Sequence, residues 1–170
     1  MKHSARWQKV LFTKLRVGIL FATVAVVTVL FVILHHSSSP LPNAIAKQVA
    51  YVTYYPGKQW QTSLQQATYT AGVLRFTSTQ NNVSLSFSEQ ATPPVFTDVP
   101  QYYPSLLGKL NQYSSFGSVA GTVYLTKPAE LKGGQTAVAN TDGTLVFVRP
   151  NKDLSTTEWQ RLFNNLQTIK

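Results

Sequence analysis

The stretch Gln135-Thr-Ala-Val-Ala-Asn-Thr-Asp-Gly-Thr-Leu-Val-Phe-Val-Arg149 places two apolar runs on either side of Asp142-Gly143. Asp-Gly is a preferred pair for the type I′ turn, whose twist matches that of the strands it connects. The stretch therefore predicts an antiparallel β-hairpin. A further strand is predicted at 118–126. Pro128 and Gly133-Gly134 separate this segment from the hairpin.

A second hairpin is predicted upstream, at residues 73–88. Residues 73–79 alternate weakly, with Leu74 and Phe76 on one face, and Gln80-Asn81-Asn82 provides a turn. The run Val83-Ser-Leu-Ser-Phe-Ser88 alternates apolar and polar residues without exception. Alternation with a period of two is typical of a strand with one buried face and one face in water.

The best helix signal of the chain after residue 50 lies at its C-terminus. Ser155-Thr-Thr-Glu158 is a capping box, in which each end residue satisfies a free backbone amide of the other. A helical apolar stripe follows and is expected to lie across the sheet: Trp159, Leu162, Phe163, Leu166 and Ile169. A weaker helix is predicted at 104–113, after a proline-rich loop. The fold class is therefore α+β, a mainly antiparallel sheet packed by a C-terminal amphipathic helix.

The N-terminal part of the chain predicts a membrane anchor. Residues 17–34 contain no charge, and a helix of that length spans roughly 27 Å, close to the hydrocarbon thickness of a bilayer. The preceding tail, residues 1–16, contains five cations and no acid, which predicts a cytoplasmic N-terminus. Residues 35–50 are expected to be a linker, and residues 51–170 an extracytoplasmic domain at the cell membrane.

Cleavage of the anchor is the alternative to a retained signal-anchor. Ala44-Ile45-Ala46 fits the A-x-A pattern of a signal-peptide cleavage site. Against cleavage, the apolar run exceeds the usual length of a signal peptide's apolar region. The A-x-A triplet also lies twelve residues beyond Leu34. We expect the single span to be retained. Whether two chains dimerise through their spans is left open.

Composition excludes several kinds of chemistry. The chain has no cysteine, which removes disulfides and thiolate catalysis, and its three histidines lie at positions 3, 35 and 36, outside the predicted domain. No nucleotide-binding glycine motif occurs. The cations after residue 46 are scattered singly, so no nucleic-acid partner is predicted. We therefore predict no catalytic residues, no cofactor and no metal site.

The candidate binding surface consists of aromatic residues and one strand end. Tyr54, Tyr55 and Trp60 could stack on a sugar or contact a membrane interface, and Glu89 and Gln90 end a predicted strand beside a loop. The alternative is structural in both cases. The rings could pack on the core, and Glu89 and Gln90 could hydrogen-bond the proline-rich loop.

Three functions follow from these features. The favoured one is a non-enzymatic envelope domain that binds a protein or an envelope polymer. The second is a cell-wall hydrolase that uses Glu89 with Asp98 or Glu130, since paired carboxylates are the groups that glycosidases require. The third is a structural subunit whose span packs in a larger membrane complex.

Short motifs spread over residues 51–169 resemble those of single-pass membrane-anchored proteins of bacteria of the Saccharibacteria (Patescibacteria) type. The motifs are Tyr54-Tyr55-Pro56, Gly72-Val73-Leu74, Ser86-Phe87-Ser88-Glu89-Gln90 and Pro93-Pro94. This resemblance implies a bacterial envelope location and assigns no catalytic residue. A fainter likeness of the C-terminal part is to small α+β domains of bacterial envelope regulators.

Overall fold

The computed structural model of the protein describes residues 40–127 and 134–169. Its strands are β1 Thr53–Pro56, β2 Gln61–Thr62, β3 Thr68–Thr70, β4 Val73–Gln80, β5 Val83–Ala91, β6 Gln112–Ser118, β7 Gly121–Thr126, β8 Thr136–Thr141, β9 Thr144–Pro150 and β10 Leu166–Ile169. Its α-helices are α1 Asn43–Ala46, α2 Val95–Asp98, α3 Tyr102–Lys109 and α4 Thr156–Asn164, and a 3-10 helix runs Leu64–Gln66.

Eight strands form one antiparallel sheet in the order β2-β4-β5-β9-β8-β7-β6, with β3 also paired to β4. Two hairpins, β4–β5 and β8–β9, meet at its centre, where Phe87 lies opposite Val148 and Glu89 opposite Val146. Strands β1 and β10 form a separate two-stranded ribbon. The predicted α+β class, a mainly antiparallel sheet with a C-terminal helix, is confirmed.

Both predicted hairpins are confirmed. Asp142 and Gly143 have φ values of 47° and 74°, and Asn81 and Asn82 have φ values of 48° and 63°. Positive φ at both central residues is the property that a type I′ turn requires, and Asn, Asp and Gly tolerate it best. Phe76 and Phe87 stack across the β4–β5 pair, with ring centroids 4.8 Å apart.

The strand predicted at 118–126 is wrong in its first part. Ser118 ends β6, a turn occupies residues 119 and 120, and β7 begins at Gly121, which has a φ of 77°. The Ser118 hydroxyl holds this turn, since it donates to Gly121 O at 2.9 Å and accepts from Ala120 N at 3.1 Å. Strand β6 escapes detection because Phe116 is its one buried side chain.

The capping box that begins α4 is confirmed. Ser155 Oγ accepts from Glu158 N at 3.3 Å, and Glu158 Oε2 accepts from Ser155 N at 2.8 Å. The helix ends at Asn164, however, so the continuous helical stripe to residue 169 is wrong. Leu166 and Ile169 belong to β10, which pairs with β1, and the Asn165 side chain donates to Arg161 O at 2.7 Å and so closes the helix.

Helix α4 and the β1–β10 ribbon cover one face of the sheet, which we call the inner face. Trp159 and Phe163 are fully buried there among the side chains of β4, β5, β7, β8 and β9. The indole nitrogen of Trp159 donates to Gln135 Oε1 at 2.7 Å. Leu41 also joins this core with 2% of its surface exposed, so part of the segment predicted as a linker packs on the domain.

The opposite, outer face is covered over one half. Helices α2 and α3 pack there on β7, β8 and β9 through a second apolar cluster, centred on Leu107, Val138 and Leu145. Helix α3 confirms the predicted helix at 104–113, although it begins and ends earlier. The other half, formed by β4, β5 and the C-terminal part of β9, has exposed side chains at Arg75, Thr77 and Ser86.

No helix within residues 40–127 and 134–169 is long and apolar enough to cross a membrane. The predicted span at 17–34 and its basic tail lie outside the described residues, and so does Glu130.

Candidate functional site

The aromatic residues predicted as a binding surface belong largely to the core. Tyr54 has 4% of its surface exposed, and its hydroxyl donates to Asp142 Oδ2 at 2.7 Å. Burial, together with that hydrogen bond, raises the pKa of Tyr54 to about 12. Tyr55 and Trp60 are half-buried and pack against the same core. These rings therefore fit the interpretation that they pack on the core better than the interpretation that they form an exposed surface for stacking on a sugar.

Glu89 lies on the inner face and is fully buried. Both of its carboxylate oxygens accept from Tyr54 N, at 3.2 and 3.1 Å, so the structure brings these two predicted residues together. Burial raises the pKa of Glu89 well above its usual range, and the Tyr54 amide opposes that shift only in part. Gln90, the next residue, is half-buried on the outer face, opposite Leu145.

The carboxylates of the hydrolase hypothesis are not brought into one cleft. Asp98 ends α2, whose Phe96 packs on the outer face, whereas Glu89 points to the inner face. Glu130 lies outside the described residues. A glycosidase places its two carboxyl groups on either side of a bond that is open to solvent. The positions of Glu89 and Asp98 do not meet that requirement.

A groove with both apolar and polar lining runs along the uncovered half of the outer face. It has a volume of about 580 Å³, and its floor is formed by β4, β5 and β9. Most of its polar lining consists of hydroxyl groups, and two arginines extend from opposite sides of β5. The polar residues that line it are Ser63, Gln66, Thr68, Arg75, Thr77, Ser86, Ser88, Thr136 and Arg149.

Strand register places the two arginines diagonally across β5. Arg75 on β4 lies opposite Ser88, and Arg149 on β9 lies opposite Ser86, two residues further along the same face of β5. With strands about 4.8 Å apart and a rise of about 3.4 Å per residue, the two Cα atoms are about 12 Å apart.

Thr136 occupies a special position in the groove wall. It has 7% of its surface exposed, and in the described part of the chain its hydroxyl oxygen has no hydrogen-bond partner. A buried polar atom without a partner costs free energy, so such atoms often mark a place that a ligand or water completes. Ala137 pairs with Val148 in the β8–β9 register, so Thr136 and Arg149, each the next residue outward on its own strand, lie on the outer face.

The sequence analysis missed this groove, although part of its signal was present. Alternation in β4 and β5 already assigns Arg75, Thr77, Ser86 and Ser88 to the polar face. What alternation cannot show is that β9 pairs with β5 and adds Arg149 beside Ser86.

Searches of protein-family models, of characterised proteins and of solved structures find no match to this chain. The resemblance to membrane-anchored proteins of Saccharibacteria-type bacteria therefore stays a prediction. Within residues 40–127 and 134–169, no three His, Asp or Glu side chains are grouped in a way that could hold a metal ion.

Proposed function

We propose that this chain is a membrane-anchored, extracytoplasmic binding domain without catalytic activity, and that it binds an envelope polymer in the groove on its outer sheet face. The uncharged run at 17–34 and the five cations before it support the anchor and its orientation. The domain then faces the polymers that surround the cell. A hydrolase that depends on Glu89 is disfavoured, because this carboxyl group is sealed between the sheet and β1.

The groove is the observation that carries the proposal. Half of the outer face is covered by α2 and α3, and the other half holds a depression of about 580 Å³. Binding sites for small ligands typically have volumes of about 300 to 1,000 Å³. The groove is lined by side chains that donate and accept hydrogen bonds, as the hydroxyl-rich surface of a glycan polymer requires.

A steric block tests this assignment. Full-length protein in detergent micelles would be sedimented with insoluble bacterial envelope polymer from which proteins have been removed. In Ser86→Tyr, a bulky ring replaces an exposed side chain on the groove floor. We expect wild-type protein to sediment with the polymer and Ser86→Tyr to remain largely in solution.

Ser115→Tyr is the matched control. Ser115 is exposed on the edge strand β6, outside the groove, so the same substitution should leave sedimentation unchanged. Equal binding by wild-type protein and both variants would show that the groove is not the binding surface. No sedimentation of wild-type protein would favour the structural-subunit hypothesis instead.

A further inference from the structure

The two edges of the eight-stranded sheet are built differently. One edge is formed by β2 and β3, which have two and three residues, and such short strands offer little backbone for another chain to pair with. The other edge is β6, which has seven residues and, among the strands that the structure describes, pairs only with β7. Alternate residues of β6 therefore direct their backbone N–H and C=O groups away from the sheet.

The side chains of β6 do little to protect this edge. The strand Gln112-Tyr-Ser-Ser-Phe-Gly-Ser118 contains no charged residue and no proline, the residue types that often keep an exposed edge from pairing. A bulge at Tyr113 bends the beginning of the strand, and the rest of it pairs regularly with β7. Lys127 lies over the Tyr113 ring, 5.9 Å from its centroid, but Asp153 balances that charge at 2.9 Å. The edge is therefore open to a second uncharged strand.

Exposed apolar side chains lie at both ends of β6. Tyr113, at its start, has 50% of its surface exposed, and Val119, in the turn that follows it, has 72%. Phe116 is buried in the inner core, so its neighbours Ser115 and Gly117 lie on the exposed outer face. Gly117 leaves a gap there, because a Cβ atom at this position would meet nothing within 4 Å. The edge strand thus carries both an exposed ring and a gap that is free to receive one.

One arrangement brings the ring and the gap together twice. If β6 pairs antiparallel with β6 of a second copy about a two-fold axis at Ser115, Tyr113 of each copy lies opposite Gly117 of the other, because both are two positions from the axis. An aromatic ring opposite a glycine covers backbone that the glycine exposes, and this stabilises strand pairs. The same register places Val119 of one copy diagonally beside Tyr113 of the other, so both exposed apolar residues leave water.

We propose that the β6 edge binds a second copy of this chain, by antiparallel pairing of the two β6 strands with Ser115 at the two-fold axis. The dimer continues the sheet of one copy into the other, and main-chain hydrogen bonds supply much of its affinity. The groove on β4, β5 and β9 lies away from β6 in the strand order, so the dimer does not use it. This inference goes beyond the proposed function and does not depend on what the groove binds.

Single cysteines test the two-fold axis. The chain has no cysteine, so an introduced thiol can cross-link only to its counterpart in another copy. Purified full-length Ser115→Cys in lipid vesicles would be oxidised with copper phenanthroline and run on non-reducing gels. Residues opposite each other in adjacent strands have Cα atoms about 4.5 to 5.5 Å apart, within the range of a disulfide.

Thr77→Cys is the matched control, because Thr77 is exposed on β4, away from the β6 edge. We expect the cross-linked dimer to form about ten-fold faster in Ser115→Cys than in Thr77→Cys, since only the first thiol meets its counterpart. Equal rates in the two variants would overturn the proposal.

A mixture of two cysteine variants tests the register. Tyr113→Cys and Gly117→Cys, carrying tags of different mass and placed in the same vesicles, should form a disulfide-linked heterodimer. Each variant alone should stay uncross-linked, because in this register identical positions two residues from the axis are about 14 Å apart. A cross-linked homodimer of Tyr113→Cys would indicate parallel pairing or another register, and it would contradict an axis at Ser115.

Charge at the axis tests the dimer by disruption and rescue. Full-length chains with two different affinity tags would be mixed in vesicles, solubilised in mild detergent and captured through one tag. Ser115→Lys on both chains places like charges opposite each other and should reduce co-capture about five-fold. Combining Ser115→Lys with Ser115→Glu should restore it, which also shows that both variants fold.

Ser115→Tyr should leave the dimer intact, because two aromatic side chains opposite each other on an exposed sheet face stabilise a strand pair. Wild-type co-capture by Ser115→Lys, or failure of Ser115→Glu to restore it, would show that the two β6 strands do not pair at Ser115. Absence of co-capture in wild-type protein would show that the chain does not dimerise.

Discussion

The two central hairpins, β4–β5 and β8–β9, have similar turns but different surroundings. In β4 and β5 buried and exposed residues alternate, so that Leu74, Phe76 and Leu85 face the core and Arg75, Thr77 and Ser86 face water. In β8, residues 136–139 are all buried, and in β9 both Leu145 and Val146 are. One hairpin is a half-buried surface, and the other is interior on both faces except at the C-terminal part of β9.

The difference arises from what packs on each hairpin. Both share the inner face with α4, but α3 covers the outer face of β8–β9 and stops before β4 and β5. A face without a covering element must be polar to remain soluble, and it is also free to bind. The functional surface is therefore located where the second layer of packing ends.

The largest loss of stability is expected from a substitution on the inner face, which the two hairpins share. Phe163→Ala should reduce the free energy of unfolding by about 3 to 5 kcal/mol, since it deletes a fully buried ring that packs on Trp159 and Phe116. Urea melts of the fragment 40–170, which retains the buried Leu41, would measure it. Arg161→Ala, exposed on the same helix, is the control and should stay within about 0.5 kcal/mol. An unchanged midpoint in Phe163→Ala, with reduced self-association, would mean that α4 is a docking surface.

The next prediction compares the stability losses caused by substitutions on the outer faces of the two hairpins. Leu145→Ala, beneath α3, should destabilise the fragment by about 2 to 5 kcal/mol, because it opens a cavity in the second apolar cluster. Thr77→Ala, on the uncovered half, should change stability by no more than about 0.5 kcal/mol. Similar losses in both variants would show that the β4–β5 face is covered after all.

Glu89 offers a pH-dependent difference within the β4–β5 hairpin. Its pKa is raised in the folded state, so above pH 4.5 the unfolded chain releases a proton that the folded chain retains. Stability should therefore fall as pH rises from 4.5 toward the folded-state pKa. Glu89→Gln should remove this loss, so its advantage over wild-type protein should grow with pH in urea melts. The exposed acid Asp98 provides the control, Asp98→Asn. If the difference in unfolding free energy between wild-type protein and Glu89→Gln does not change with pH, Glu89 does not have a raised pKa in the folded state.

The smallest effect is on the start of the helix that covers both hairpins. Ser155→Ala should cost about 1 kcal/mol, because it leaves the amide of Glu158 without its side-chain acceptor. Ser155→Asp, another good N-cap residue, should restore most of that loss. A Ser155→Ala variant as stable as wild-type protein would mean that tertiary packing alone fixes where α4 begins.

Local patterns in the sequence determined much of this molecule. Alternation identified the β4–β5 hairpin and the faces of its strands, the Asp142-Gly143 pair between two strand segments identified the β8–β9 hairpin, and the capping box fixed the start of α4. These features depend on interactions within a few residues, which a sequence displays directly. The sequence also predicts the anchor at 17–34.

Tertiary structure decided which segments meet. Leu166 and Ile169 continue the helical spacing of α4, yet they form β10 because β1 supplies backbone partners from more than 100 residues earlier. The carboxyl group of Glu89 is sealed against Tyr54, and Arg149 joins Arg75 across β5, through contacts that local sequence does not encode. Pairing between distant strands depends on the free energy of the whole core, so the buried acid and the groove on the outer face could be recognised only in the folded chain.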